Sequence, residues 1–212
     1  MYHFVEDKDK LNRAKSLASE IAIAVQDAVR KNGISCQIFL IGSGARNLVT
    51  QNEKEPFDFD YNLNILSCDN WNDGRTIKEV VRKSFNLVMQ KYRLRDVQDS
   101  TSSLTTYPIC FENRPDIQFS IDIGIVTLNN AGIWERLIHD KTTECYFWNV
   151  VRNSKSVNDK ANILKRNNHW KKVRDRYLKI KNRYLMQNNH DHPSFICFIE
   201  AVNEIYQKWG KK

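Results

Sequence analysis

The stretch Phe57–Leu66, "FDFDYNLNIL", alternates without a break. Side chains point to opposite faces of a strand in turn, so Phe57, Phe59, Tyr61, Leu63 and Ile65 share one face. Asp58, Asp60, Asn62 and Asn64 share the other. A second stretch, "QFSIDIGIV" (Gln118–Val126), repeats the pattern. Phe119, Ile121, Ile123 and Ile125 face one way, while Gln118, Ser120, Asp122 and Gly124 face the other. Asp is disfavoured inside strands, yet three stand there among large apolar neighbours. The alternation predicts that the two strands are neighbours in a mixed sheet with helices on one face, which brings Asp58, Asp60 and Asp122 together. Three carboxylates at close quarters repel one another. Mg²⁺, a hard cation that takes oxygen ligands and also holds substrate phosphates, removes that cost. Two such ions can clamp the attacking and leaving oxygens of a phosphoryl displacement. Taken singly, each Asp also reads as a solvated residue on an open sheet face.

Upstream, an apolar strand ("ISCQIFLIG", Ile34–Gly42) runs into Gly42-Ser43-Gly44 and then Arg46. Glycine lets a backbone approach a bound group closely, and free N–H groups at a helix start point at phosphate. A short helix is expected from about Ser43 to Thr50. By itself the triplet is only a strand-to-helix turn.

The ordered set is more specific than its parts. Gly42-Ser43, a short helix, Asp58-Phe59-Asp60-Tyr61 and a distant Ile121-Asp122-Ile123 resemble the DNA polymerase β-like nucleotidyltransferase superfamily. The match covers roughly residues 34–126. The resemblance implies an α+β fold in which a mixed sheet flanked by helices precedes a helical C-terminal region. It also implies an enzyme that transfers NMP from an NTP to an acceptor hydroxyl and releases pyrophosphate. Asp58, Asp60 and Asp122 would hold Mg²⁺, or Mn²⁺ in its place, and Asp122 would help deprotonate the acceptor. Gly42 and Ser43 would hold the triphosphate, with Arg46 reaching a phosphate or the acidic cluster. Many members carry Gly near the position of Asn47, and the loop between Ser43 and Asp58 is slightly long here. The acceptor is left open between a small molecule, a nucleotide, a protein and RNA. The competing class is a binding module of the same fold with a vestigial site, against which the intact triad counts.

The chain has 212 residues, 41% apolar and 27% charged, with a formal net charge of +8. That excess favours polyanionic partners. Five scattered cysteines form no Cys-x-x-Cys pair, so neither a zinc site nor a disulfide framework is signalled. The N-terminal stretch has no apolar h-region, and no apolar run approaches the roughly 18 residues of a membrane span. A cytoplasmic protein without membrane contact is therefore expected. Amphipathic helices are expected around Leu11–Ala28 and Arg75–Tyr92, and strands over Ser102–Phe111, Ile117–Val126 and Cys145–Val151.

The character changes after Val151. The division expected is an α/β domain over 1–151 and a basic helical domain over 152–212. Lys160, Lys165, Arg166, Lys171, Lys172, Arg174, Arg176, Lys179, Lys181 and Arg183 interleave there with Trp170, Tyr177 and Tyr184. Two readings stand: a surface that tracks nucleic acid, or solvated helices whose aromatics form a core. His190-Asp191-His192 reads as a cap of the last helix rather than a metal site.

Overall fold

The computed structural model describes residues 1–69, 71, 73–151, 154–189 and 192–210. His190 and Asp191 lie outside the described residues, so a cap by Asp191 does too, and the last helix begins at Ser194, two residues past His192. In chain order the elements are β1 (Tyr2–Phe4), α1 (Lys8–Lys31), β2 (Ser35–Leu40), α2 (Gly42–Arg46), β3 (Thr50–Asn52), β4 (Phe57–Ser67), α3 (Gly74–Lys91), β5 (Gln98–Asp99), β6 (Leu104–Thr105) and β7 (Ile109–Phe111). They continue with β8 (Arg114–Leu128), β9 (Trp134–Asp140), β10 (Cys145–Val150), α4 (Lys155–Arg166), α5 (Trp170–Met186) and α6 (Ser194–Gly210). The chain divides into two compact units. One is Glu6–Asn47 with Pro56–Arg152; the other is Met1–Val5, Leu48–Glu55 and Asn153–Lys212. Residues 1–5 and 48–55, placed by sequence with the α/β domain, thus cluster with the C-terminal helices.

The α/β unit is built on one mixed sheet in the order β10-β9-β8-β4-β2. Its centre is the parallel pair β4–β8; β2, β9 and β10 run antiparallel to their neighbours. One edge of β8 carries β4, and the other is shared by β7, β6 and β9 in succession. Phe57, Phe59, Tyr61, Leu63 and Ile65 are all buried, as their alternation demands. On that face α1 supplies Ala14, Ala18, Ile21, Ala22, Val25 and Val29, and Ser19 shares a 3.0 Å hydrogen bond with the Tyr61 hydroxyl. α1 starts where Asp7 accepts the Lys10 amide and stops at Asn32, beyond which Gly33 turns left-handed.

Several boundaries differ from expectation for local reasons. The strand expected over Ser102–Phe111 is two, β6 and β7, separated around Pro108, which has no N–H for the ladder. β8 begins at Arg114, ahead of the start expected at Ile117. β9, a strand with charged and apolar residues intermixed, was not anticipated at all.

The helical unit packs α4, α5 and α6 around Leu48, Val157, Leu164, Val173, Tyr177, Ile180, Phe198 and Val202. Tyr177 is fully buried, so it is core, not a stacking platform. Many of the cations are engaged within the unit. Arg176 grips Glu204 through two bonds of 2.7 and 2.8 Å, Arg183 donates to Glu200, and Lys181 donates to Thr50. β1 and β3 form a small antiparallel sheet, and Asn182 bonds both backbone groups of Tyr2. No helix among the described residues is long and apolar enough to cross a membrane.

Candidate active site

The β4–β8 ladder sets the site. Its register puts Asp60 directly opposite Asp122 and Asp58 opposite Ser120. The three carboxylates therefore occupy adjacent positions on the sheet face away from α1. Asp58 accepts a short hydrogen bond from the Ser120 hydroxyl, and Asp122 accepts another from Thr105 on β6. Burial, then the charges of Asp58 and Asp60, push the Asp122 carboxyl up to about 6, against the Thr105 bond. A carboxylate so placed sits in a negative potential that a cation would relieve.

Among the described residues no three His, Cys, Asp or Glu side chains stand together as a ready-made metal cage. What fits a divalent cation is the chemistry of the donor set. All its atoms are hard oxygens, and they belong to three like charges on two paired strands.

The Gly-Ser-Gly turn abuts this cluster. The Ile41 amide donates to the Asp60 carbonyl at 2.8 Å, locking the start of α2 to β4. Gly42 is left-handed (φ +62°), and a Cβ there would overlap the Asp60 carboxylate. Glycine is thus required twice at one position. Gly44 plays another part than the ligand approach expected of it. It is buried, and a Cβ would press on Phe59 and Leu40 at 3.0 and 3.1 Å. Ser43 lies in the first turn, half-buried. Arg46 curls back to donate to the Gly42 carbonyl at 3.0 Å.

The helix expected to reach Thr50 ends at Arg46. Asn47 caps it in the left-handed region (φ 55°, ψ 43°), which Asn tolerates better than other non-glycine residues. The departure from glycine noted at Asn47 is therefore a like-for-like backbone replacement.

One residue near the cluster had no signal in the sequence. Arg136 on β9 donates to Asn62 Oδ1 at 3.0 Å, and among the described residues its Nε has no hydrogen-bond partner. Gly124 makes room for it, since a Cβ there would come within 3.2 Å of the guanidinium carbon. Burial pushes this guanidinium down, and the Asp60 carboxylate opposes the shift. Beside it the exposed rings of Phe39 and Trp134 meet edge to face at 6.4 Å.

No protein-family profile and no curated protein matches the sequence. Solved structures do match, and the fold they define is that of the nucleotidyltransferases. E. coli MS115-1 CdnC, determined with ATP, superposes with a TM-score of 0.59 at 14% identity, over 93% of this chain and 61% of its own. Vibrio cholerae DncV cyclic AMP-GMP synthase, in complex with the linear intermediate 5' pppA(3',5')pG, gives 0.65 at 10% identity, over 95% and 68%. The 3'-deoxy GTP bound form of Escherichia coli DncV gives 0.60 at 9% identity, over 94% and 68%. These proteins fall in the DNA polymerase β-like superfamily that the motif resembles. The chain spans roughly three-fifths to two-thirds of their length, and the likeness is one of fold.

Proposed function

We propose that this chain transfers NMP from an NTP to an acceptor hydroxyl in a Mg²⁺-dependent reaction, and that the acceptor is a second nucleotide. The observation that carries the reading is the register of β4 on β8, with Asp60 opposite Asp122, beside the Gly42 turn. The choice of acceptor rests on the fold shared with a cyclic AMP-GMP synthase that holds a linear dinucleotide intermediate.

Asp58, Asp60 and Asp122 would hold Mg²⁺ or Mn²⁺. Ions held there would neutralise charge on the phosphates and acidify the acceptor hydroxyl. The amides of Gly42 and Ser43, with the Ser43 hydroxyl, hold the outer phosphates. Arg46, held over the turn by its Nη1 bond to the Gly42 carbonyl, would reach a phosphate from there. The acceptor oxygen bonds to the α-phosphorus, the bond to the β-phosphate oxygen breaks, and pyrophosphate leaves. Asp122 would help take up the acceptor's proton.

The test is incubation with the four NTPs and Mg²⁺, with pyrophosphate release and product mass as readouts. Asp60→Asn is expected to abolish transfer without lowering the melting temperature in metal-free buffer. Ser43→Ala is expected to weaken NTP binding by ten-fold or more, as one bond to a charged group is worth roughly 1.5–3 kcal/mol, and to leave NMP binding less changed. Product formation that survives Asp60→Asn overturns the reading.

A further inference from the structure

We infer that Thr105 and Ser120 are positioning residues that hold Asp122 and Asp58 ready for a divalent cation without neutralising them. The inference rests on the nucleotidyltransferase reading of the acidic cluster. Each hydroxyl lies directly across a ladder from the carboxylate it bonds: Thr105 pairs with Asp122 on the β6 side of β8, and Ser120 with Asp58 on the β4 side. Directly opposed residues have Cβ atoms about 4.5–5.5 Å apart, the span of a hydroxyl–carboxylate bond. The donors are therefore set by backbone register rather than by long, mobile side chains.

Thr105 is fixed on both sides. Before it, Lys78 donates to the Ser100 carbonyl at 2.7 Å and the His139 amide to the Thr101 carbonyl at 2.8 Å. After it, Thr106 exchanges two 3.0 Å bonds with Ile121, from its amide to the Ile121 carbonyl and from the Ile121 amide to its hydroxyl. Ser120 is buried in the centre of the sheet. Both residues engage Oδ1 of their carboxylate, which leaves Oδ2 as the second ligating oxygen.

The choice of donor is informative. Lys or Arg at either position would bond the carboxylate equally well, but would cancel its charge and exclude a cation. A neutral hydroxyl orients the oxygen and leaves the charge in place. Partners of metal-ligating carboxylates commonly act in this way, and losing one lowers metal affinity by about 10- to 100-fold.

Mn²⁺ alone is the probe, titrated into the full chain and followed by electron paramagnetic resonance. Thr105→Val removes the hydroxyl at constant shape; Ser120→Ala does so at the second site. Each is expected to bind Mn²⁺ about ten-fold or more weakly than wild type, and Thr105→Ser to bind it within about two-fold of wild type, as a bond-specific role requires. If Thr105→Val fails to fold, Ser120→Ala decides. Wild-type affinity in folded Thr105→Val and Ser120→Ala overturns the inference and leaves the site reading intact. Wild type and Asp122→Asn binding Mn²⁺ equally, or not at all, overturns both.

Discussion

Asp99 on β5 and Asp122 on β8 lie in the same sheet, on either side of β6, and their carboxyls are shifted in opposite directions. Burial works against ionisation of Asp99, but bonds from Lys141, Lys78 and His139 outweigh it and hold the carboxyl down at about 2. Lys78 makes its contact at 2.6 Å with a side chain only 3% exposed. Burial pushes that ammonium below its usual range, against the pull of the Asp99 carboxylate. His139, stacked on Tyr146, reaches Asp99 through Nδ1 and Glu144 through Nε2. Asp122 has a hydroxyl in place of these lysines and two carboxylates for neighbours. A carboxylate that only holds the fold together is given its counter-charges by the chain. One left in a negative potential is held in a state that something else must complete.

The contrast is broken most severely at Asp99. Asp99→Ala leaves Lys78 buried without its counter-charge and is expected to cost about 3–5 kcal/mol in urea unfolding. Asp122→Asn, in contrast, is expected to stabilise the metal-free chain. The Asp122 value of about 6 lies above the unfolded value near 4. Its ionisation therefore costs the fold nothing below pH 4, progressively more between pH 4 and 6, and the full amount above. Wild type and Asp122→Asn should unfold alike at pH 4, and the variant should be more stable at pH 7 by up to about 3 kcal/mol. Saturating Mg²⁺ should close that gap. For Asp99 the sign is reversed: its contribution is whole above pH 4 and is lost as pH falls toward 2.

Smaller effects sharpen the picture. Gly42→Ala forces a Cβ into the left-handed region and against the Asp60 carboxylate, for about 1–2 kcal/mol of stability. Its Mn²⁺ affinity should fall as well, because Asp60 must turn aside. Lys141→Met should cost less than about 1 kcal/mol, since that ammonium is 43% exposed and screened by water. A loss as large as that of Asp99→Ala would mean that Lys141, not Lys78, anchors the hairpin.

The acidic face was legible because one rule, alternation, governs both strands that carry it. Phe57 to Ile65 and Phe119 to Ile125 are buried on schedule, and the carboxylates follow by parity. What supports the carboxylates was not legible. Ser120 bonds a partner 62 residues away and Thr105 one 17 residues away, and neither pairing leaves a local pattern. β9 escaped notice because Trp134, Glu135 and Arg136 open it with no apolar period; pairing with β8 and β10 makes it a strand. Arg136 was hidden with it. The three-residue strands β1 and β3 are also products of tertiary pairing. Asn47 could be read from sequence only as a departure from glycine, whereas its backbone angles make it an equivalent.

The helical unit is assembled from three separate lengths of chain, and its first strand is tied to Asn182 across 180 residues. On a ribosome, Tyr2 and Leu48 emerge long before α5 exists to receive them. The α/β unit can complete its sheet as soon as β10 is made, because domains generally fold as units in order of synthesis. The loop Leu48–Glu55, between the Gly42 turn and the Asp58 strand, must then wait for the C-terminal helices. Birth order thus leaves the nascent chain with a finished acidic face while the segment joining the Gly42 turn to β4 is still without its packing partners.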